Sequence, residues 1–106
     1  MSHEYKSEVN LQKACRAMMV KVGLYPRKQG TMYHRGLFDY YVLGKFRWIM
    51  FVEFKLPGRK LTPFQQVEYD RLKLLQHTGV IVRSKTDCME LVIKPYQRFL
   101  EENSDD

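Results

Sequence analysis

Cysteines, histidines and long apolar runs are all scarce in this chain of 106 residues. The two cysteines, Cys15 and Cys88, fall in helical patterns, which indicates reduced core thiols of a cytoplasmic protein rather than a disulfide framework. The sequence shows no signal-peptide pattern, no uncharged apolar stretch that could span a bilayer and no strongly basic amphipathic helix. We therefore expect a protein that is neither secreted nor bound to a membrane.

What the chain does contain is enough apolar material for one folded domain, and an excess of positive charge. Hydrophobic residues make up 44% of it, with one tryptophan, seven tyrosines and six phenylalanines, so we expect a single domain over residues 1–100. The net charge is +6, even though residues 101–106 form an acidic tail, which we expect to be disordered. Such a basic domain favours a polyanionic partner, and nucleic acid fits better than a membrane.

The strongest local pattern is a β-hairpin. Two runs rich in β-branched and aromatic residues, Phe38–Leu43 and Trp48–Phe54, are separated by Gly44-Lys45-Phe46. The second run is apolar on both faces, which predicts a central strand covered on both sides. Side chains alternate along a strand, so Glu53 and Lys55 lie on the same face.

Antiparallel pairing across this hairpin can bring Asp39 close to Glu53, at the strand ends away from the turn. One interpretation is structural: Glu53 forms an ion pair with Lys55 at the rim of the sheet, and Asp39 is a solvent-facing residue at the end of a strand. The other is a metal site, because converging carboxylates repel each other without a cation, and hard oxygen ligands suit Mg²⁺ or Mn²⁺. The pattern alone leaves both open.

Asp39 followed by Glu53-Phe54-Lys55 resembles the PD-(D/E)XK nuclease motif. The segments GLFDYYVLG, WIMFVEFKLPGRKLTPFQQ and HTGVIVRS, in this order and spacing, are similar to the VRR-NUC branch of that superfamily. The likeness runs from about Gly36 to Ser84. At one position the chain departs from the pattern, since Phe38 stands where a proline usually precedes the aspartate. That proline shapes the backbone and carries no chemistry, so the metal-site assignment stands.

The resemblance implies a restriction-endonuclease-like α/β core in the order αβββαβ(α), with one mixed sheet flanked by helices. It implies Mg²⁺, for which Mn²⁺ can substitute, held by Asp39, Glu53 and the backbone carbonyl of Phe54. Lys55 would orient or help deprotonate the attacking water and stabilise the transition state. Hydrolysis of the phosphodiester would leave a 5′-phosphate and a 3′-hydroxyl.

The first helix offers a further candidate ligand. Residues 4 to about 22 place six residues on one stripe, at spacings of three and four: Glu4, Glu8, Leu11, Cys15, Met18 and Val22. Glu8 can lie there simply because carboxylates complement the dipole of a helix N-terminus. Nucleases similar to this chain often carry a metal-site glutamate on the first helix, and Glu8 is the position that matches.

Basic residues interleaved with tyrosines between Leu24 and Arg35 predict a first strand flanked by loops, on a surface that follows phosphates. We expect four cations to contact the DNA backbone: Lys28, Arg35, Arg59 and Lys60. The role of His34 is left open, because nothing pairs with it in a triad-like pattern.

After the hairpin, Thr62 and Pro63 predict the start of a helix, and Gln65 can complete a capping box. Gln65 can instead project toward a metal and a phosphate from the helix N-terminus. With Tyr69 one turn later, it resembles the Gln-x-x-x-Tyr pair beside the metal site of some superfamily members. We favour the site role for Gln65 and leave Tyr69 open. The predicted buried stripe of this helix is Phe64, Val67, Leu72, Leu74 and Leu75.

Taken together, the sequence predicts a Mg²⁺-dependent, structure-selective DNA endonuclease. Stand-alone domains of this kind resemble phage or bacterial Holliday-junction resolvases, which would work in the host cytoplasm if phage-encoded. Two matched cuts in a four-way junction suit a two-fold homodimer, and Tyr96 and Phe99 are interface candidates. The alternatives are a monomeric flap or nicking nuclease, and a catalytically silent DNA-binding module that keeps its carboxylates as ion pairs.

Overall fold

The computed structural model describes residues 7–29 and 38–104, so residues 30–37, with His34 and Arg35, lie outside the description. The elements are α1 (Glu8–Lys21), β1 (Tyr25–Lys28), β2 (Tyr40–Leu43), β3 (Ile49–Phe54), α2 (Pro63–Leu74), β4 (Gly79–Val82), α3 (Lys85–Cys88), a π-helical turn (Met89–Ile93) and α4 (Lys94–Glu102). The predicted α/β class, with one mixed sheet flanked by helices, is confirmed. Over the described ranges, no helix is long and apolar enough to cross a membrane.

The four strands form one sheet in the order β1-β2-β3-β4. The first two pairs are antiparallel, and β4 joins β3 in parallel, so β3 is an interior strand as predicted. Tyr40 pairs with Val52 and Leu43 with Ile49. Continuing this register by one step sets Asp39 opposite Glu53, so pairing of the hairpin itself brings the two carboxylates to one end of the sheet.

At its other end, the hairpin closes in a tight turn whose two central residues have left-handed backbones, Phe46 at φ 57° and Arg47 at φ 65°. Positive φ at both positions matches the twist of the flanking strands. The Tyr96 hydroxyl accepts a hydrogen bond from the Lys45 amide at 3.0 Å, and its ring lies so close to Gly44 that a Cβ there would overlap it. Helix α4 therefore holds the hairpin tip.

One face of the sheet carries the hydrophobic core, which α1, α3, the π-helical turn and α4 cover. It contains both cysteines, each buried and outside any disulfide bond, together with Leu11, Met19, Leu24, Tyr40, Val42, Met50, Val52, Phe54, Val82, Val92, Ile93 and Tyr96. Tyr96 is only 1% exposed, so its predicted place on a dimer surface is wrong. Phe99 is partly buried against the same core.

Helix α2 covers the opposite face of the sheet only in part. None of its residues is buried, so the predicted buried stripe is wrong. The half-buried residues that face the sheet include Gln65, Tyr69 and Leu72, spaced by four and three. Phe38 fills the space beneath them, since its ring lies 6.0 Å from that of Tyr69 and 6.5 Å from that of Phe51. Because the capping box fixes the N-terminus of α2, the half-buried residues face the sheet, and the apolar residues at the remaining positions of the helix point outward.

The C-terminal helical segments follow one another without a break from Lys85 to Glu102. The sequence predicts one helix to about Ile93 and a second opening at Pro95; the π-helical turn joins them, and Pro95 occupies the first turn of α4. Because α4 runs through Glu102, the first two residues of the predicted acidic tail are helical.

Candidate active site

Two hydrogen bonds from backbone amides hold the carboxylates of Asp39 and Glu53 side by side. The Asp39 amide donates to Glu53 Oε1 at 3.2 Å, and the Phe54 amide donates to Asp39 Oδ2 at 2.9 Å. The Asp39 carbonyl accepts from the Gln29 amide at 2.9 Å, which links the site to the end of β1. Both carboxylates are thus fixed by main-chain groups of the sheet.

Glu53 lies in an environment that disfavours its negative charge. It is 2% exposed, and burial, reinforced by the charge of Asp39, raises its pKa to about 8. Lys55 Nζ lies 4.0 Å from Glu53 Oε2 and lowers the pKa, but this opposing effect is smaller. Two ionised carboxylates would carry more negative charge than the nearby lysine balances, so without a further cation the protonated form of Glu53 is favoured.

A divalent cation fits this arrangement, because Mg²⁺ is commonly bound by one or two carboxylates together with substrate phosphates. The peptide of Phe54, whose carbonyl is the predicted third oxygen ligand, adjoins Asp39 through its amide. Among the described residues, no three Asp, Glu, His or Cys side chains form a group that could hold a metal ion. The structure therefore brings Asp39 and Glu53 together without Glu8, whose role as a ligand stays a prediction.

Gln65 connects this pair to the N-terminus of α2. Its Nε2 donates to Glu53 Oε2 at 2.9 Å, and its Oε1 accepts from the Thr62 amide at 2.9 Å. The Thr62 hydroxyl accepts in turn from the Gln65 amide at 3.2 Å, which completes the capping box. The capping interaction and the contact with Glu53 exist together in one side chain.

The other predicted residues lie around this centre or outside the described ranges. Tyr69 stacks on Phe38, and Lys73 Nζ lies 5.5 Å from the centre of the Tyr69 ring. Tyr69 forms no hydrogen bond with the carboxylate of Asp39 or Glu53. Lys28 is exposed at the end of β1, opposite Tyr40. Arg59 and Lys60 are exposed in the loop between Lys55 and the N-cap of α2. These cations are available to a polyanion at the same end of the sheet.

Arg83 is a residue whose structural role the sequence interpretation missed. Its Nη1 donates to the carbonyls of Leu56 at 3.0 Å and Arg59 at 2.6 Å, and its amide donates to Asp87 Oδ2 at 2.9 Å. The sequence feature that could have revealed this role is the Val-Arg-Ser segment at the end of β4. It forms part of the family resemblance, but no function was assigned to its arginine. Arg83 fixes the loop that bears Arg59 and Lys60.

A search of solved structures finds that this chain is similar to a structure described as a VRR_NUC domain. The TM-score is 0.74 at 26% sequence identity, over 80% of this chain and 92% of that one. The fold is that of a VRR-NUC domain. The resemblance predicted from the sequence is thereby confirmed, and it indicates a nuclease-type domain, for which DNA is the expected substrate. A scan against family models and a search of curated proteins found no match to the chain.

Proposed function

We propose that this VRR-NUC chain is a Mg²⁺-dependent DNA endonuclease whose active site is centred on Asp39, Glu53 and Lys55. The observation that carries the proposal is the buried Glu53 beside the half-buried Asp39, two carboxylates held together by backbone amides with Lys55 as the nearby positive charge. A purely structural ion pair does not need a second carboxylate at the same point. The nuclease-type fold supports the same interpretation.

In this proposal Asp39 and Glu53 would hold the cation, with the carbonyl of Phe54 as a further ligand. The chemistry that Mg²⁺ supplies there is neutralisation of charge on the scissile phosphate and activation of water. Gln65 holds Glu53 Oε2 in place through its amide. The side chain of Lys55 is only 14% exposed, and its ammonium group would orient the attacking water and stabilise the charge that develops on the phosphate.

Affinity for DNA would come from the exposed cations at the site end of the sheet. Lys28 lies at the end of β1, and Arg59 and Lys60 lie in the loop that Arg83 fixes. Contacts of this kind bind phosphates and carry little sequence information. Arg35 belongs to the same proposed set, on the strength of the sequence alone.

The substrate we propose is branched DNA, and specifically a four-way junction cut by a homodimer. The described residues form a small core with cations on its surface, and they include no helix-turn-helix that could read base edges. We therefore propose that the protein recognises the shape of the DNA rather than its sequence. A four-way junction has strands related by a two-fold axis, and a two-fold dimer presents two matched sites to them.

The chemistry is tested by Asp39→Asn and Glu53→Gln, with Asp70→Asn as the control. Asp70 is an exposed carboxylate on α2 that accepts from Gln66 Nε2 at 3.0 Å. We expect both site variants to lose Mg²⁺-dependent cleavage while the control keeps it. Without metal, their melting temperatures should hold or rise, because removing a charge relieves repulsion. Mg²⁺-dependent activity in a purified site variant would contradict the assignment.

The substrate is tested on a panel of labelled junction, flap, duplex and single-stranded DNA. Paired, symmetric cuts in the junction support the resolvase proposal. A single cut in flap or duplex DNA supports the alternative of a nicking or flap nuclease. Binding to DNA without cleavage under any divalent cation supports the silent binding module.

A further inference from the structure

The face of the sheet opposite the core carries side chains in rows, and the register of the strands fixes the order of the rows. Arg27 pairs with Tyr41, and Tyr41 pairs with Phe51. Residues paired across antiparallel strands point to the same face, so these three side chains share a row. Two residues farther along each strand, on the same face, lies the row of Asp39 and Glu53. The Arg27 row is therefore about 7 Å from the candidate active site.

Tyr25 begins the next row, on the side away from the carboxylates. It pairs with Leu43, and Leu43 pairs with Ile49. Helix α2 packs at β4, on the far edge of the sheet, and it leaves this row open: Tyr25 is 55% exposed and Ile49 is 39% exposed. The distance from this row to Asp39 along the strands is about 14 Å, which corresponds to about four stacked nucleotides.

Tyr25 and Arg27 are joined to each other on the edge strand β1. Arg27 Nη1 donates to the Tyr25 hydroxyl at 2.7 Å, and the guanidinium carbon lies 5.3 Å from the centre of the Tyr25 ring. Both side chains are exposed, so this contact adds little to the packing of the core. Within residues 7–29 and 38–104, Arg27 belongs to no ion pair, which leaves its charge available to a phosphate.

An exposed aromatic ring beside such a cation is suited to a nucleotide whose base has left the helical stack. Aromatic rings and guanidinium groups both stack on bases, and a guanidinium also binds phosphate. In a continuous duplex the neighbouring bases cover both faces of each base, so a protein ring reaches a base only where the stack is interrupted. Cations alone are enough to follow a duplex. The Tyr25–Arg27 pair therefore favours DNA with a gap, a flap or a branch point.

We propose that Tyr25 and Arg27 bind an unstacked nucleotide within a few nucleotides of the cleaved phosphate, with its base on the Tyr25 ring and its phosphate on Arg27. The proposal rests on the nuclease function above and assigns residues to its selectivity for DNA structure. Because the pair lies in the rows beside Asp39 and Glu53, a nucleotide held there directs its strand across the carboxylates.

The test compares two exposed aromatic residues. Tyr25→Ala removes the proposed stacking ring, whereas Phe46→Ala removes a ring of similar exposure, 59%, at the hairpin tip away from the carboxylates. Affinity is measured in Ca²⁺, to prevent cleavage, for an intact duplex and for the same duplex with a short single-stranded gap. Tyr25→Ala should bind the gapped DNA about tenfold more weakly and the intact duplex as before. Phe46→Ala should change neither affinity, and circular dichroism checks that both variants are folded.

Two further variants separate stacking from a change in local structure. Tyr25→Phe keeps the ring but cannot accept the hydrogen bond from Arg27, so it should keep the preference for gapped DNA. Arg27→Gln removes the charge and should weaken binding to gapped DNA, with a shallower dependence on salt. If Tyr25→Phe loses the preference as fully as Tyr25→Ala does, the ring does not stack on a base and the proposal is overturned.

The outcomes separate this nucleotide site from the proposed chemistry. If Tyr25→Ala weakens binding to both DNAs equally, or to neither, the site is overturned, whatever the protein cleaves. If the parent prefers gapped DNA through Tyr25 but cleaves no DNA in Mg²⁺, the site stands and the nuclease proposal fails. If Tyr25→Ala loses this preference and the parent cleaves branched DNA faster than duplex, both proposals are supported.

Discussion

Gln65 hydrogen-bonds to Glu53 and to the Thr62 backbone at the same time. Its amide nitrogen lies 2.9 Å from Glu53 Oε2, and its amide oxygen lies 2.9 Å from the Thr62 nitrogen. The two interpretations of this residue, as a helix cap and as a site residue, are therefore compatible. A glutamine suits both contacts, because one terminal atom donates and the other accepts.

Two substitutions of Gln65 separate the contacts. Gln65→Ala removes both and should destabilise the fold by about 1 kcal/mol, as well as lowering the cleavage rate. Gln65→Glu keeps an acceptor for the Thr62 amide but cannot donate to an ionised Glu53. Hydrogen exchange at the Thr62 amide should therefore accelerate only in Gln65→Ala, while cleavage falls in both. Full activity of Gln65→Glu would show that the residue acts only as a cap.

Stability of the metal-free protein should fall as the pH rises from about 5 to 8. The folded-state pKa of Glu53 is raised to about 8, above its unfolded value, so the folded state binds more protons in this window. Linkage then makes unfolding easier with increasing pH, by up to about 1.4 kcal/mol per pH unit. Urea denaturation in EDTA at several pH values measures the slope.

Glu53→Gln should flatten this slope, because the substituted side chain does not titrate. Glu90→Gln is the control, since Glu90 lies in an exposed ion pair with Lys94 and the slope should persist. A parent protein that gains stability between pH 5 and 8 would contradict the raised pKa.

Lys55→Ala should slow cleavage without abolishing binding. If Lys55 stabilises the transition state, its loss should lower the rate by a factor of roughly 10² or more. Affinity for a junction, measured in Ca²⁺ to prevent cleavage, should be retained. Lys60→Ala is the comparison and should show the opposite result, a weaker affinity with a nearly unchanged rate at saturation. Equal losses of rate and affinity in Lys55→Ala would make it a phosphate-binding residue.

Arg83→Ala should loosen the loop between β3 and α2. It removes the charge-assisted hydrogen bonds to the carbonyls of Leu56 and Arg59, which corresponds to about 1–3 kcal/mol of stability. We expect faster hydrogen exchange in this loop and weaker DNA binding. Arg98→Ala, an exposed arginine on α4, is the control and should change neither. A stable variant with an ordered loop would refute the role of Arg83.

The hairpin was predictable from sequence because its signals are local. Apolar residues on both faces of the second run identify a covered strand, and antiparallel register then sets Asp39 opposite Glu53. The orientation of α2 was not predictable in this way, because apolar residues occur on both sides of the helix. Its rotation depends on contacts distant in sequence, such as Gln65 with Glu53 and Tyr69 with Phe38. Arg83 was missed for a similar reason, since its acceptors are backbone carbonyls.

The contact between Lys45 and Tyr96 has a consequence for how the protein is made. The two residues are 51 positions apart, and Tyr96 lies in the last helix. During synthesis, the hairpin that carries both carboxylates emerges long before the aromatic ring that packs against its tip. Its final packing therefore waits until α4 has left the ribosome, and a chain truncated after β4 would expose the face of the hairpin that Tyr96 covers.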